Sequence, residues 1–306
     1  MTTLVFGHKS PDTDATGSAI IWAWYLEHTG TPAEPRVLGI PNGEALFVLE
    51  HWGFEMPPVL DTLPEGTKVV VVDTNNPAEL PEGIGKADIR AIIDHHKLAG
   101  GLETRGPIEV TIRPLASTAT LMYQLMDGHG GHAPRGIKGL ILSCILSDTL
   151  EFRSPTTTET DRRIAGLLAR DLDIDIPAYA AAMFAAKSDV SALSDAELLR
   201  VDAKEYSVDG LRLRISVLET TSPAAVLDRA PGLVAAMPAV AAEEGADLVL
   251  LFVIDILREE AVLLTPDALT RGIAEKSFGV SATGDRVTLP GIMSRKKQIV
   301  PMLKVN

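Results

Sequence analysis

Eight acidic and imidazole side chains in this chain fall where apolar runs end. His8, Asp12 and Asp14 follow an apolar start in GHKSPDTDA, and Asp73 closes VVVVD. Asp94, His95 and His96 close AIIDHH, while Asp148 closes LILSCILSD. Any one Asp at a strand end is ordinarily a turn former or a helix cap, whereas adjacent histidines neither pack nor cap well. The joint pattern is far more specific than its parts. Hard oxygen and imidazole donors gathered on one rim repel one another unless a cation neutralises them. Mixed Asp and His ligation suits Mn2+, Co2+, Zn2+ or Fe2+ better than Ca2+, which favours oxygen alone, and there are enough groups for two ions if some carboxylates bridge.

Gathering those residues on one rim requires strands that run parallel. Apolar runs bounded by turn residues predict strands over 3–6, 36–39, 68–72 and 89–93. Helical patterns occupy 15–27, 44–52, 117–126, 137–146, 159–171 and 177–187. Continuous Val and Ile runs alternating with helices indicate an α/β fold with a parallel sheet covered on both faces. In such a sheet ligands bind at the carboxyl ends of the strands, where three strands deliver Asp and His and Asp148 joins them from a helix end. The polar stretch SDVSALSD then marks a boundary. The expected division is a metal-binding domain over 1–187, a hinge linker over 188–194 and a smaller α/β domain over 195–306. The second domain is read as a helix over 195–201, strands over 211–218, 248–254 and 261–264, and helices over 224–244 and 267–278.

Length and composition agree with this plan. At 306 residues the chain exceeds what one core comfortably serves, which favours about two domains. No apolar run reaches the roughly 18 residues that span a bilayer, because the strongest candidate, 248–257, contains Asp255. The start MTTLVFGHKSPDTD has no signal-peptide pattern, so a cytoplasmic location is expected and no membrane partner. The lone Cys144 excludes a disulfide framework and reads as a small core residue. A net charge of −13 argues against nucleic-acid binding. Against that acidic background SRKKQIVP places Arg295, Lys296 and Lys297 together, and Lys204 stands in VDAKEY. His28, His51, His129 and His132 are expected to face solvent.

GHKSPDTDA, VVDTNN, DHH, ILSDT and the late SRKKQ together resemble the motif set of the DHH phosphoesterase superfamily, specifically its manganese-dependent (family II) inorganic pyrophosphatases. The resemblance runs from residue 4 to about residue 301, in order and at matching intervals. It implies a DHH domain followed by a substrate-binding, DHHA2-like domain, with the active site in the cleft between them. It further implies Mn2+ or Co2+, two per subunit, with His8, Asp12, Asp73 and Asp148 on one ion and Asp14, Asp73, His95 and Asp148 on the other. His96 then faces the substrate, Asp94 orients the imidazoles, and Arg295, Lys296 and Lys204 take the phosphate groups. A homodimer through the first domain is implied as well. The family commonly has His after the bridging Asp, where this chain has Thr74; no ligand is touched by that departure.

The expected reaction is hydrolysis of pyrophosphate to two phosphates by a metal-bridged hydroxide. Asp12 or Asp14 orients the water or takes its proton, and His96 serves the leaving group. The basic side chains offset phosphoryl charge, and a further Mg2+ enters with the substrate. Closure of the domains over the hinge is expected to exclude water. The alternatives are a DHH phosphodiesterase or polyphosphatase and a non-catalytic, metal-dependent phosphate sensor. SRKK stands where the nucleic-acid-acting relatives carry a glycine- and histidine-containing motif, and aromatic residues for base stacking are few. Only 20 residues separate Asp73 from Asp94 and 51 separate His96 from Asp148, which leaves no room for a nucleotide-binding regulatory insertion.

Overall fold

The computed structural model describes residues 2–187, 190 and 193–305. It divides into two compact units, Met1–Lys187 and Ser188–Asn306. Much of the expected hinge, at 188, 189, 191 and 192, lies outside the described residues.

The first unit holds five strands: β1 (Thr3–Phe6), β2 (Ala33–Pro35), β3 (Lys68–Val72), β4 (Asp88–Asp94) and β5 (Glu109–Ile112). They pair in parallel in the order β2-β1-β3-β4-β5. Val69, Val70, Val71 and Val72 are all buried, as a central strand covered on both faces requires. The chain reverses direction across the sheet between β1 and β3, so the crevice above their carboxyl ends is the topological switch point at which α/β folds bind ligands. Two helices lie against that crevice, Thr13–His28 leading out of β1 and Arg135–Asp148 ending in Asp148. Both are buried over most of their length rather than along one stripe, as interior helices are.

Two expectations for this sheet are corrected. The second strand is Ala33–Pro35 rather than 36–39: the Arg36 N–H still bonds the Val5 carbonyl, but the chain then leaves β1, and Val37 makes a single bridge to Val59 instead. Strand β5 was not anticipated: GPIEVTI is a short edge strand, half exposed and interrupted by charge, so it lacks the apolar continuity of the central strands.

In the second unit β6 (Ala203–Val208), β7 (Leu211–Thr220), β8 (Leu248–Asp255), β9 (Glu260–Leu264) and β10 (Arg286–Pro290) form a mixed sheet in the order β10-β9-β8-β7-β6. Only β7 and β8 are parallel. Alternation along β8 sends Leu250, Phe252 and Ile254 into one core and Val249, Leu251 and Val253 into another. Helix Ala268–Phe278 contributes Ile273 to the first core, and helix Ala230–Glu243 contributes Leu233 and Val240 to the second. The predicted helix over 224–244 is broken into Pro223–Leu227 and Ala230–Glu243, where Arg229 turns inward to bond Asp195 and the Val190 and Leu193 carbonyls. The helix over 195–201 shortens to Asp195–Leu198. Strands β6 and β10 went unforeseen, although Asp209-Gly210, both at positive φ, is the hairpin signal that joins β6 to β7.

One packing detail governs the first unit's site. A Cβ on Gly17 would lie 2.4 Å from Cys144 Sγ, so the two interior helices approach through a glycine on one and a small thiol on the other. Gly17→Ala should therefore lower unfolding free energy by about 1–3 kcal/mol through overpacking, and adding Cys144→Ala should recover much of that loss in denaturant titrations. Strictly additive losses would show that Sγ is not the obstacle.

Candidate metal centre

Each chemistry-bearing residue reaches the crevice for a local reason. Asp12 caps helix Thr13–His28, its Oδ1 accepting the Ala15 N–H at 2.9 Å, which leaves Oδ2 turned toward His8 Nε2 at 3.7 Å. Asp14 lies in the first turn of the same helix and is buried. Asp73 leaves β3 in the left-handed region at φ 58°, a conformation that costs energy for a non-glycine residue and re-aims its side chain at a functional edge. His95 and His96 follow β4 directly, and both of their backbone N–H groups donate to Asp94 Oδ1.

Asp73 stands at the centre. Its Oδ2 lies 3.5 Å from His8 Nε2 and its Oδ1 lies 3.4 Å from His95 Nε2, one oxygen toward each imidazole. His95 Nε2 also faces Asp148 Oδ2 at 3.8 Å and Asp14 Oδ2 at 4.0 Å. His95 Nδ1 is 3.0 Å from the Leu115 carbonyl, which fixes the N–H there and leaves Nε2 as a lone-pair donor. The donor atoms fall into overlapping sets, His8–Asp12–Asp73, Asp14–His95–Asp148 and Asp73–His95–His96, each within 4.8 Å. Separations of 3.4 to 4.0 Å are too long for hydrogen bonds, but they suit neighbouring ligands that each reach about 2.0–2.2 Å to a shared ion. Asp148 Oδ2 is buried without a hydrogen-bond partner. An orphaned carboxylate oxygen beside two buried carboxylates fits a divalent cation and little else.

Electrostatics tell the same story. Burial, then the negative charge of Asp73, pushes the Asp14 carboxyl up to about 6. Burial and the charges of Asp14 and Asp73 raise Asp148 well above the carboxylate range. Asp73 goes the other way: burial acts upward, but the imidazoles of His8 and His95 beside it outweigh that and hold the carboxyl well below the usual range. For the imidazoles burial acts downward but loses to their carboxylate neighbours, so His8 is raised to about 10 by Asp12 and Asp73 and His95 to about 9 chiefly by Asp73 and Asp14.

The remaining expected residues fall as follows. His96 is 53% exposed, and its Nδ1 is 2.9 Å from Asp94 Oδ1, a contact that raises the imidazole. It lines two adjoining cavities of about 540 and 450 Å³. Lys204 lies exposed on β6, and Arg295 and Lys296 occupy a short turn over Arg295–Ile299. The Arg295 guanidinium donates to the Asp202 carboxylate at 2.8 Å and to the Asp202 carbonyl, two residues from Lys204. Thr74, in the position of the expected histidine, donates to Glu79 Oε2 at 2.7 Å and accepts the Asn76 N–H. Cys144 is buried, and His28, His51, His129 and His132 are exposed. Sequence reasoning missed Ser117, Thr118 and Ala119. Asp14 accepts Ser117 Oγ at 2.9 Å, Thr118 N at 2.6 Å and Ala119 N at 3.2 Å, while Thr118 Oγ1 donates to Asp73 Oδ1 at 2.9 Å. The signal was the N-cap serine of helix Thr118–Leu125, whose positive end faces the cluster.

Comparison with known proteins places this geometry. The DHH family N-terminal domain model matches residues 2–147 and the DHHA2 domain model residues 181–305. A Deinococcus radiodurans protein named as a manganese-dependent inorganic pyrophosphatase is 42% identical over 98% of this chain and 97% of its own length. The chain belongs to the manganese-dependent inorganic pyrophosphatases. A Lactobacillus helveticus protein of the same name is 34% identical over 98% of the chain and 96% of its own length. Among solved structures, a family II inorganic pyrophosphatase of Methanococcus jannaschii superposes with a TM-score of 0.63 at 32% identity, covering 98% of both chains. An exopolyphosphatase-related protein of Bacteroides fragilis, with a TM-score of 0.52 at 14% identity, covers 97% of this chain and 89% of its own and shares the fold.

Because the metal-free imidazoles of His8 and His95 are held protonated to about 10 and 9, both must lose a proton before they ligate. The sign follows: protons compete with the metal at low pH and cease to compete as pH rises. Mn2+ binding at pH 7.5 should release roughly two protons, and affinity should climb from pH 6 to pH 9. Calorimetric titrations in buffers of different ionisation heat read this directly, and a binding heat independent of buffer would contradict it.

Proposed function

We propose that this chain hydrolyses inorganic pyrophosphate to two phosphates at the cluster formed by His8, Asp12, Asp14, Asp73, His95 and Asp148. The observation that carries the reading is Asp73, which turns one carboxylate oxygen toward His8 and the other toward His95, as a bridge between two ions would. His8, Asp12, Asp73 and Asp148 would hold one Mn2+ or Co2+, and Asp14, Asp73, His95 and Asp148 the other. Bound ions supply Lewis acidity that lowers the pKa of an attacking water and neutralises phosphoryl oxygens.

The chain's own groups do the rest. Asp14 already accepts the Ser18, Ser117 and Ala119 donors on Oδ1 and the Thr118 N–H on Oδ2, so Asp12, with Oδ2 free of hydrogen bonds to the helix, suits the proton of the attacking water better. His96 is steadied through Nδ1 by Asp94, a contact that favours its charged form, and its outer nitrogen is the group that would give a proton to the leaving phosphate. Arg295 offers a bidentate fork for phosphate oxygens, with Lys296 and Lys204 as point charges. In this reading the 195–306 domain supplies these basic groups, and a further Mg2+ accompanies the substrate. The same reading has the enzyme cytoplasmic, without nucleic-acid partners at a net charge of −13, and homodimeric through its first unit. Among the described residues no helix is long and apolar enough to cross a membrane.

Phosphate release from pyrophosphate is the direct assay. Exhaustive chelation should abolish it, with Mn2+ or Co2+ restoring it better than Mg2+ because His8 and His95 present nitrogen; full activity in Mg2+ alone after chelation would sink the manganese reading. Arg295→Lys keeps charge but loses the fork, so kcat/KM should fall by roughly one to three orders of magnitude, about 1.4–4 kcal/mol, with metal content unchanged. Unaltered kinetics in that variant would mean the SRKKQ turn never meets the substrate.

A further inference from the structure

Glu44 is fully buried in the first turn of helix Gly43–Trp52, far in sequence from every residue of the metal cluster. A single oxygen, Oε1, accepts two hydroxyl donors, Thr13 Oγ1 at 2.5 Å and Ser147 Oγ. Thr13 lies between Asp12 and Asp14, and Ser147 immediately precedes Asp148. Among the described residues its other oxygen, Oε2, has no hydrogen-bond partner and faces the Lys187 ammonium at 3.7 Å. Helix Gly43–Trp52 is itself wedged in place, since a Cβ on Gly43 would meet the Ala186 carbonyl at 2.5 Å.

A buried carboxylate with one unbonded oxygen and a loose ion pair is a poor source of stability, because its desolvation is incompletely offset. The helix N-terminus relieves part of that cost. What the arrangement supplies is position. The segment carrying Asp12 and Asp14 and the helix end carrying Asp148 lie far apart in the chain, and the hydroxyls beside those residues converge on one oxygen atom. We propose that Glu44 is a positioning residue that sets the spacing between the Asp12–Asp14 segment and Asp148, and thereby the affinity of the cluster for its metal. This rests on the metal-centre reading given above, without adding a group to the reacting atoms.

The test is Mn2+ affinity, measured by calorimetric titration of metal-free protein, beside kcat and KM for pyrophosphate. Glu44→Ala should weaken Mn2+ binding by about 10–100-fold, while KM stays near its native value because Glu44 does not face the substrate. Glu44→Gln retains an acceptor oxygen in the same place and should keep Mn2+ affinity close to native. Thr13→Val with Ser147→Ala removes the same two hydrogen bonds from the other side, and should reproduce the Glu44→Ala loss without deepening it when the three are combined. That pair also carries the test if Glu44→Ala does not fold. Native Mn2+ affinity in the Thr13→Val, Ser147→Ala protein, or equal losses in Glu44→Gln and Glu44→Ala, would overturn the positioning role. Failure of the unaltered protein to bind Mn2+ would instead overturn the metal-centre reading itself.

Discussion

Carboxylates repel one another most strongly where water cannot screen them, and the first unit places Asp14, Asp73 and Asp148 around one imidazole in its interior. Local structure only partly relieves this. Asp12 and Asp14 sit at a helix N-terminus, where the dipole favours negative charge. Asp148 is the last residue of its helix, where the dipole opposes it, and its Oδ2 has no hydrogen-bond partner and faces the His95 imidazole at 3.8 Å. A fold selected for stability alone would not end an interior helix in a carboxylate oxygen without a hydrogen bond. The neighbouring backbone is under the same demand: Asp73 has φ 58°, and Leu150, Glu151 and Phe152 pass consecutively through the left-handed region just beyond Asp148. Strain and unmet charge thus gather at one edge of the sheet, and a divalent cation would settle the charge.

The sheet order explains why the edge can be so crowded. Reversal between β1 and β3 opens a crevice into which the residues after both strands project, and β4 adds its own terminus alongside. Helix Thr118–Leu125 then brings backbone N–H groups against Asp14 from the far side. Strand ends and several helices therefore fix the cluster, with the side-chain hydroxyls of Ser117 and Thr118 bonded to its carboxylates and those of Thr13 and Ser147 bonded to Glu44.

How much of this could be read from the chain depended on whether the signal was local. VVVVD and AIIDHH state a buried parallel strand and its polar terminus within six residues, so β3, β4 and the residues that close them were legible. The gathering of His8, Asp12, Asp73 and His95 followed from the rule about carboxyl ends. Edge strands β2 and β5 were shifted or missed because pairing on one side needs neither a long nor a continuous apolar run. Ser117 and Glu44 were not identified as supports of the site for a different reason. Their local meaning, a cap and a first-turn acid, is complete in itself, and nothing in the flanking residues says that Asp14 or Ser147 lies beside them in space.

The basic side chains of the second unit follow the opposite logic. Arg295 is held by the carboxylate and carbonyl of Asp202, on the strand approach that carries Lys204, with no buried cluster to neutralise. Asp202 adopts φ 39°, so the chain turns sharply to present that pair of acceptors. A carboxylate and a carbonyl together occupy a guanidinium fork much as two phosphate oxygens would, and they keep the side chain ordered at modest electrostatic cost. If Arg295 takes phosphate as proposed, exchange of Asp202 for phosphate oxygens would substitute one acceptor set for a stronger one without reordering the arginine. The buried carboxylates of the first unit call for a cation, whereas here the cationic side chain already rests on an acidic acceptor pair.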